Sequence, residues 1–407
     1  MFFNGGDYMA SIQKYELKNG KERWMYVIEN GTNPATGKRE RIVKRGFMKE
    51  KEAIKAARAM EYEIDKWNLD FKSKATFHDL GEEWFERYVK SGVKNSTIRS
   101  KDYHLDKLYE GFGHVKVQNI TQDIYQKFLF KLHEELSYNT LTNVHGTAKQ
   151  VFKYAKEKKI LLDDPTEFTI VPKRIKTVEE IENETITDTY FEKHELKAFL
   201  DVCYQSGKVG DFVFFSTLAW TGMRPGEALA LKWSDIDFEE GTINITKTLY
   251  NPKNKFDQFE LTPPKTNGSI RKIDIEEELI GLLIGHQLNQ KKIKTIYEKH
   301  YKDFDFVFAR LYGEFMGYPW YLRIVNRHMK LILNKMPNFN KQLTPHSFRH
   351  THTSLLAEID VPLELIMDRL GHDDEDTTKK IYLHVTQDRK KEASEKFGKL
   401  MRELQKT

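Results

Sequence analysis

The segment LGHDDEDTTKKIYLHV, residues 370–385, places Tyr382 ten residues after His372, with four acidic residues at 373–376 between them. The residues before it, VPLELIMDRL, predict an amphipathic helix that ends at Gly371. A second, short helix is expected after the acidic run, with Tyr382 inside it. A single tyrosine at such a position is usually a packing residue, so this segment alone leaves open whether Tyr382 is a nucleophile.

A histidine and an arginine occur one helical turn apart in TPHSFRHTHTS, residues 344–354. Pro345 is expected to open a helix, so that His346 and Arg349 share one face. This pair suits a phosphate, because one side chain moves a proton and the other neutralises charge; two solvated residues are the alternative. A zinc pair of His346 with His350 is not expected, since an HExxH glutamate is missing and Arg349 would repel a cation.

An arginine is predicted at a helix start in LAWTGMRPGEALALKWSDID, residues 218–237. One helix should end at Gly222 and the next begin at Pro225, a favoured first helical position. Arg224 then lies beside free backbone N–H groups, with Glu227 one turn further on, which suits an anion. The alternative is a surface arginine that pairs with Glu227.

A β-hairpin is predicted in LTPPKTNGSIRKIDI, residues 261–275, with a turn at Asn267-Gly268 and Lys265 near its tip. The strand-like GTINITKTLY, residues 241–250, precedes it. A lysine at such a tip is generally solvated. Inside a confined anionic site, however, it could protonate a leaving oxygen.

The positive charge of the chain is concentrated at its N-terminus. Residues 1–75 contain 16 Lys and Arg against 11 Asp and Glu, which accounts for the whole formal net charge of +5. The strand face that carries Lys14, Arg39 and Arg41 has dimensions suited to the DNA major groove, although a solvated face is an equal alternative. The predicted elements are antiparallel strands at 10–18, 23–29 and 38–47, followed by a helix at 48–67 that covers the other face.

Four helices and no strand are predicted after Thr76, which indicates a small helical bundle. Basic residues cluster at the start of the second helix and along the fourth. Such stripes are usually solvated, but they can also hold a phosphate backbone. The candidate DNA-binding residues of the bundle are Lys94, Arg99, Lys101, Lys149 and Lys153.

Length and composition favour a globular protein of two or three domains, with 407 residues, 39% hydrophobic and 31% charged. No run of about eighteen apolar residues and no secretion signal occurs, so a cytoplasmic protein without membrane association is expected. The single Cys203 excludes an internal disulfide framework and a cysteine-based zinc cluster. The predicted fold is multidomain α+β. Its parts are a three-stranded sheet plus helix at 1–72, a four-helix bundle at 76–170, a linker at 171–188, and a mainly α domain with a small β-sheet or hairpin at 189–407.

The order Arg224, Lys265, His346-x-x-Arg349, Gly-His372, Tyr382 resembles the motif set of tyrosine recombinases. The phrases TGMRPGEAL, TPHSFRHT and LGHDDEDTTKKIY carry this resemblance. The three-part layout is similar to integrases of phages and integrative conjugative elements. Those have an N-terminal arm-binding module, a core-binding helical domain and a C-terminal catalytic domain.

The resemblance implies DNA strand cleavage and rejoining without metal, ATP or another cofactor. Tyr382 would attack a scissile phosphate and form a 3′-phosphotyrosyl bond. His346 would be its base, Lys265 the acid for the leaving 5′-oxygen, and His372 a hydrogen-bond donor to the phosphate. The remaining roles are a phosphate clamp by Arg224 and Arg349, and an acidic buttress at Glu227.

The resemblance also implies partners, namely double-stranded DNA at core and arm sites of a bacterial cell, an excision factor and a DNA-bending host protein. Beyond Tyr382, KKEASEKFGKLMREL at 390–404 sets Ala393, Phe397, Leu400 and Leu404 on one helical stripe. So short a tail cannot bury its stripe alone, so it is expected to dock on its own or a neighbour's catalytic domain, as in a homotetramer with tail exchange.

Three alternatives stay open from the sequence. They are a resolvase or chromosome-dimer recombinase, a catalytically silent DNA-binding regulator, and an enzyme that relaxes supercoils by the same chemistry. An N-terminal basic module argues against the first and third, and the complete set of six residues argues against the second. The acidic run at 373–376 is expected to face solvent or to cap the Tyr382 helix.

Overall fold

The chain forms two compact units, residues 1–175 and 176–407, in a computed structural model. The structure describes residues 10–16, 22–32, 39–67, 74–174, 177, 186–264, 267–371, 376–386, 397–398 and 401–402. Among the helices in these ranges, none is long and apolar enough to cross a membrane.

The first unit begins with the expected antiparallel meander and its covering helix. The strands pair in the order β1-β2-β3, and the apolar positions of the sheet pack against alanines of α1 around buried Tyr26, Ile28 and Ala57. The elements are β1 (Ala10–Glu16), β2 (Glu22–Thr32), β3 (Arg39–Phe47) and α1 (Glu50–Trp67).

The strand register divides the predicted basic face. Arg41 lies next to Ile42, which packs towards α1, so Arg41 belongs to the open face. Lys14 does not, because it is two residues from Ile12 and therefore on the helix side, where it pairs with Glu22 at 2.6 Å. The side chain of Arg39 is outside the described residues.

The second part of this unit is the expected bundle of four helices around an aromatic and aliphatic core. Side-chain oxygens of Thr76, Thr121 and Ser137 cap three of them. The other helix differs, because its N-cap residue is Lys94, which makes no side-chain cap hydrogen bond. The helices are α2 (Phe77–Val89), α3 (Asn95–Phe112), α4 (Gln122–Glu135) and α5 (Tyr138–Glu157).

Two helices of the bundle carry the candidate DNA-binding residues. Lys94 and Arg99 lie at the start of α3, while Lys149 and Lys153 are exposed on α5. Lys101 is different, because its Nζ turns inward and donates to Thr147 Oγ1 at 3.1 Å. Burial lowers its pKa. It is therefore a tether between α3 and α5 and not part of an open basic stripe.

The second unit is mainly helical, as predicted. A buried helix (Asp211–Thr221) lies at its centre, with both Phe214 and Phe215 fully buried against neighbouring helices. The helices are α6 (Lys193–Ser206), α7 (Asp211–Thr221), α8 (Pro225–Ala230), α9 (Glu277–Ile296), α10 (Leu322–Leu333), α11 (Ser347–Glu358), α12 (Leu363–Leu370) and α13 (Asp376–Val385).

The β-hairpin predicted at 261–275 is wrong in its pairing. The strand before the turn pairs with Thr248–Tyr250, and the strand after it pairs with Thr242–Ile245, so the two do not pair with each other. Pro263 and Pro264 follow the first strand and have no N–H groups to continue a ladder. The strands are β4 (Ile236–Asp237), β5 (Thr242–Ile245), β6 (Thr248–Tyr250), β7 (Glu260–Thr262) and β8 (Arg271–Asp274).

The end of α7 requires a glycine. Gly222 has φ +62°, and a Cβ there would lie 2.6 Å from His352 Cδ2 and 2.7 Å from Leu370 Cδ2. The C-terminus of α7 is thus pressed directly onto side chains of α11 and α12. Any larger residue must both adopt a left-handed backbone and displace these helices.

We predict that Gly222→Ala lowers the free energy of unfolding of the second unit by about 2–4 kcal/mol, since strain and overpacking add. Urea unfolding followed by circular dichroism measures this. The control is Gly281→Ala, at an exposed helical position where an added Cβ would meet no atom within 4 Å. This change should raise stability by about 0.5–1 kcal/mol. Equal effects of the two substitutions would contradict the packing argument.

Candidate active site

Arg224 occupies the helix start that its sequence predicted. It is the N-cap of α8, directly before Pro225. Its Nη1 donates to Glu227 Oε1 at 3.0 Å and to Ser269 Oγ at 3.2 Å. Its side chain is 30% exposed, so the guanidinium is fixed by these two hydrogen bonds and is still accessible to solvent. This arrangement suits an arginine that accepts an anion from solution.

Glu227 is a buried carboxylate between two arginines. Besides Arg224, it accepts from Arg271 Nη2 at 2.9 Å, and its own side chain is 2% exposed. Burial alone raises the pKa of Glu227, but the charge and hydrogen bonds of Arg271, followed by Arg224, hold it below its usual value. Glu227 is therefore ionised near pH 7, and the three side chains together carry one net positive charge.

Arg349, the second residue predicted to clamp the phosphate, is buried and only 1% exposed. Its Nη1 donates to the carbonyl of Gly222 at 2.8 Å, and its Nη2 donates to the carbonyl of Leu370 at 2.6 Å. Both carbonyls belong to helix C-termini, which lack partners within their own helices. Arg349 therefore joins α11 to the ends of α7 and α12. Its charge lies next to the carbonyl of Gly222, two residues before Arg224.

His346 lies one residue before α11, at its N-cap position. Its ring is 5.0 Å from that of His350, measured between centroids. Burial, with the nearby His346 and Arg349, lowers the pKa of His350 to about 4, so His350 is neutral near pH 7. Among the described residues, no group of histidine, cysteine or carboxylate side chains has the arrangement of a metal site.

Tyr382 lies within α13, whose first helical residue is Asp376. Its ring packs at the edge of a cluster formed by Ala357, Ile366 and Leu370. The packing expected for a tyrosine here is thus present, and it orients the side chain from α11 and α12. The Tyr382 hydroxyl donates no hydrogen bond to any residue in the described ranges, so its oxygen is not committed to a structural contact there.

Lys265, His372 and the acidic residues at 373–375 lie outside the described residues. Their described neighbours approach each other closely. Ser269 Oγ donates to the carbonyl of Gly371 at 3.5 Å, and a Cβ on Gly371 would lie 2.7 Å from the carbonyl oxygen of Gly268. The turn after Lys265 therefore packs on the residue before His372.

Sequence reasoning missed three residues that support this site. Ser269 and Arg271 contact the Arg224 and Glu227 side chains. Arg369 Nε donates to His352 Nε2 at 3.2 Å, while His352 Nδ1 donates to the carbonyl of Ala219. A signal existed for Arg271, because strand alternation puts it on the same face as buried Ile273. An arginine on a buried face needs a partner.

Comparison with protein families matches three stretches of the chain. The phage integrase family matches residues 189–389, an arm DNA-binding domain matches 11–64, and the N-terminal SAM-like domain of phage integrases matches 76–133. These ranges include the motif boxes, the three-stranded meander with its helix, and much of the helical bundle.

Individual proteins agree with this assignment. The integrase of Staphylococcus phage L54a is 32% identical over 341 residues, which cover 80% of this chain and 93% of that protein. The Tn1549 transposon integrase, solved with transposon right end DNA, has a TM-score of 0.61 at 21% identity and covers 79% of this chain and 99% of its own. A lambda integrase tetramer bound to a Holliday junction has a TM-score of 0.54 at 16% identity, covering 89% and 96%.

The two solved structures agree in fold, and the phage relative agrees in sequence over nearly its full length. The chain therefore belongs to the phage integrase family and is a tyrosine-type site-specific recombinase.

Proposed function

We propose that this recombinase is the integrase of a mobile element and that Tyr382 is its nucleophile. The observation that carries the proposal is the linkage of the motif segments through Arg349, whose guanidinium joins the helix ends beside Arg224 and His372. Three motif segments joined by one buried cation are difficult to explain in a protein that only binds DNA. We propose that it acts on DNA in the bacterial cytoplasm.

In the proposed reaction the Tyr382 oxygen attacks the scissile phosphorus, and the bond from phosphorus to the 5′-oxygen breaks. A phenol has a pKa near 10, so His346 accepts its proton while nearby positive charge favours the anion. Lys265 gives a proton to the leaving 5′-oxygen. Because the phosphotyrosyl bond retains the energy of the phosphodiester, a new 5′-hydroxyl rejoins the strand by the reverse step without ATP.

The arginines have different proposed tasks. Arg224 is partly exposed and contacts a non-bridging phosphate oxygen directly, and His372 donates a hydrogen bond to the same phosphate. Arg349 is buried and contributes mainly its charge. Together they stabilise the negative charge that develops in the transition state, a task for which no metal ion is required.

The N-terminal parts have proposed roles in DNA binding. Residues 1–72 bind arm sites through the open sheet face, where the register adds Arg23 and Arg45 to Arg41. Residues 76–170 bind the core site, with Lys94, Arg99, Lys149 and Lys153 as candidate phosphate contacts. After a linker at 171–188, residues 189–407 carry out catalysis. An arm-binding module supports an element integrase over a chromosome-dimer resolvase, with an excision factor and a DNA-bending host protein as further partners.

We further propose a homotetramer on DNA, assembled by exchange of C-terminal tails. The second unit has an open groove of about 1010 Å³, lined by apolar residues that include Leu196, Leu200, Trp220 and Leu365. In the same chain the tail residue Phe397 is 63% exposed. Because the apolar groove and the apolar tail residue are both exposed in one subunit, we propose that the tail of a neighbouring subunit occupies the groove. Ala393, Leu400 and Leu404 of the tail stripe lie outside the described residues.

We predict that the protein forms a covalent adduct with a nicked core-site duplex and that Tyr382→Phe abolishes it, because the phenylalanine has no attacking oxygen. Denaturing gel electrophoresis of a labelled duplex measures the adduct. The control is Tyr301→Phe, which removes a hydroxyl that accepts a hydrogen bond from Gln290 elsewhere in the unit. This variant should still form the adduct. An adduct with the Tyr382→Phe protein, or none with the wild type, would show that the mechanism is wrong.

We predict that deletion of residues 1–72 leaves cleavage of a short core duplex within about threefold of wild type. Affinity for the element's arm sequences should fall by about 1,000-fold, to the level of non-specific binding. Denaturing gel electrophoresis measures cleavage, and electrophoretic mobility shifts at several salt concentrations measure affinity. Binding should fall steeply with salt both with and without the module, because residual non-specific binding is electrostatic as well. Loss of core cleavage would contradict the assignment of this module to arm sites.

We predict that Phe397→Glu and Leu365→Glu each prevent assembly of two DNA sites into one complex while sparing cleavage of a nicked duplex. A charge at either position opposes burial of the apolar contact. The control is Ile296→Glu, an apolar residue that is similarly exposed (71%, against 59% for Leu365) but outside the groove. Native gels with two differently sized duplexes measure assembly. If only one of the two substitutions interferes, tail and groove do not form a pair.

A further inference from the structure

Arg271 is a buried arginine to which the proposed reaction gives no role. It begins β8, and its side chain is only 6% exposed. A cation so far from water is costly unless it is fully engaged. Its partners therefore indicate what it does.

The guanidinium of Arg271 joins three separate segments of the chain. Its Nη2 donates to Glu227 Oε2 at 2.9 Å, and its Nη1 donates to the carbonyl of Ser269 at 3.0 Å. Its Nε donates to the carbonyl of Arg369, near the end of α12, at 2.8 Å. The planar fork of an arginine can hold these three directions at once, which a lysine cannot do.

Two of these partners also hold Arg224. Glu227 accepts from the Arg224 backbone N–H at 2.9 Å and from its Nη1 at 3.0 Å. Ser269, whose carbonyl Arg271 binds, offers its Oγ to the same Nη1 at 3.2 Å. Arg271 thus fixes both acceptors that determine where the Arg224 guanidinium points.

Close packing leaves little room for adjustment around this arrangement. Gly371 has φ +68°, and a Cβ there would lie 3.0 Å from Arg271 Cδ and 3.0 Å from Ser269 Cα. The stem of Arg271 therefore fills the space between its own turn and the end of α12. Removing it would free the turn at 267–269 and leave Glu227 with a single cation.

We infer that Arg271 is a positioning residue for strand cleavage, acting through Glu227 and Ser269 on the Arg224 guanidinium. The inference rests on the proposed function, in which Arg224 binds the scissile phosphate. A displacement of about 1 Å at a reacting group can cost about 100-fold in rate, so the effect belongs to the chemical step and not to DNA affinity.

The test compares Arg271→Met, Arg271→Lys, Glu227→Gln and the double variant Arg271→Met/Glu227→Gln. Single-turnover adduct formation on a nicked core duplex gives the rate, and a mobility shift gives the dissociation constant. Arg271→Met should react about 30–100-fold more slowly with an unchanged dissociation constant. Arg271→Lys should be intermediate, since it keeps the charge next to Glu227 without the fork.

The double variant shows whether Arg271 acts through Glu227. If it does, adding Arg271→Met to Glu227→Gln costs less than about threefold, because the connection is already broken. The control is Arg310→Met, which also removes an Nε donor to a backbone carbonyl, that of Tyr312 at 2.8 Å. It should leave the rate unchanged. Thermal unfolding of every variant separates misplacement from loss of folded protein, and Arg271→Lys replaces Arg271→Met if the latter unfolds early.

Several results would overturn the inference. The first is a rate for Arg271→Met within about twofold of wild type. The second is a double variant whose rate loss equals the product of the two single losses. The third is a dissociation constant for DNA that rises enough to account for the slower rate. No adduct from the wild type would instead overturn the proposed function, and the inference with it. If the wild type forms the adduct normally and one of the first three results is obtained, only the inference about Arg271 fails.

Discussion

A single buried guanidinium joins the motif segments of the second unit where they meet. Arg349 lies in α11 and donates to the carbonyls at the ends of α7 and α12, two groups that helix geometry leaves without partners. A positive charge is also favourable at the negative end of a helix dipole. One side chain therefore determines how three helices approach, and the residues that follow the ends of α7 and α12, including Arg224, inherit their positions from it.

A second electrostatic constraint adjusts the charge of the site. Glu227 lies between Arg224 and Arg271 and stays ionised despite its burial. A carboxylate shared by two arginines keeps both in place and neutralises one of them. The remaining charge is on Arg224, the arginine that is open to solvent. In the proposed reaction, Arg224 would contact the phosphate, while Glu227 and Arg271 hold Arg224 in place.

Much of the local structure was predictable because it depends on a few residues of fixed conformation. Gly222 and Gly371 end helices in the left-handed conformation, and Pro225 begins one. These are properties of the backbone at single positions, so they are visible in a sequence without its fold. The packing of Tyr382 in a short helix was predictable for the same reason. From the sequence, packing and nucleophilic chemistry were alternative roles for Tyr382, but its packed ring is compatible with the proposed chemistry.

Other features depended on partners that are distant in sequence. The hairpin at 261–275 was mispredicted because β7 and β8 each pair with a different strand. The inward orientation of Lys101 was not predictable, because its partner Thr147 is 46 residues away in the sequence. The burial of Arg349 was equally invisible, since its acceptors are 127 and 21 residues distant.

The sequence by itself determined which residues carry the motif set, where several helices begin and end, and to which family they point. Only the tertiary structure decided which arginine is open and which is buried, and that Arg271 and Ser269 support Arg224. The physical reason is that caps and turns follow from neighbouring residues. The environment of a charge, in contrast, depends on every segment that packs around it.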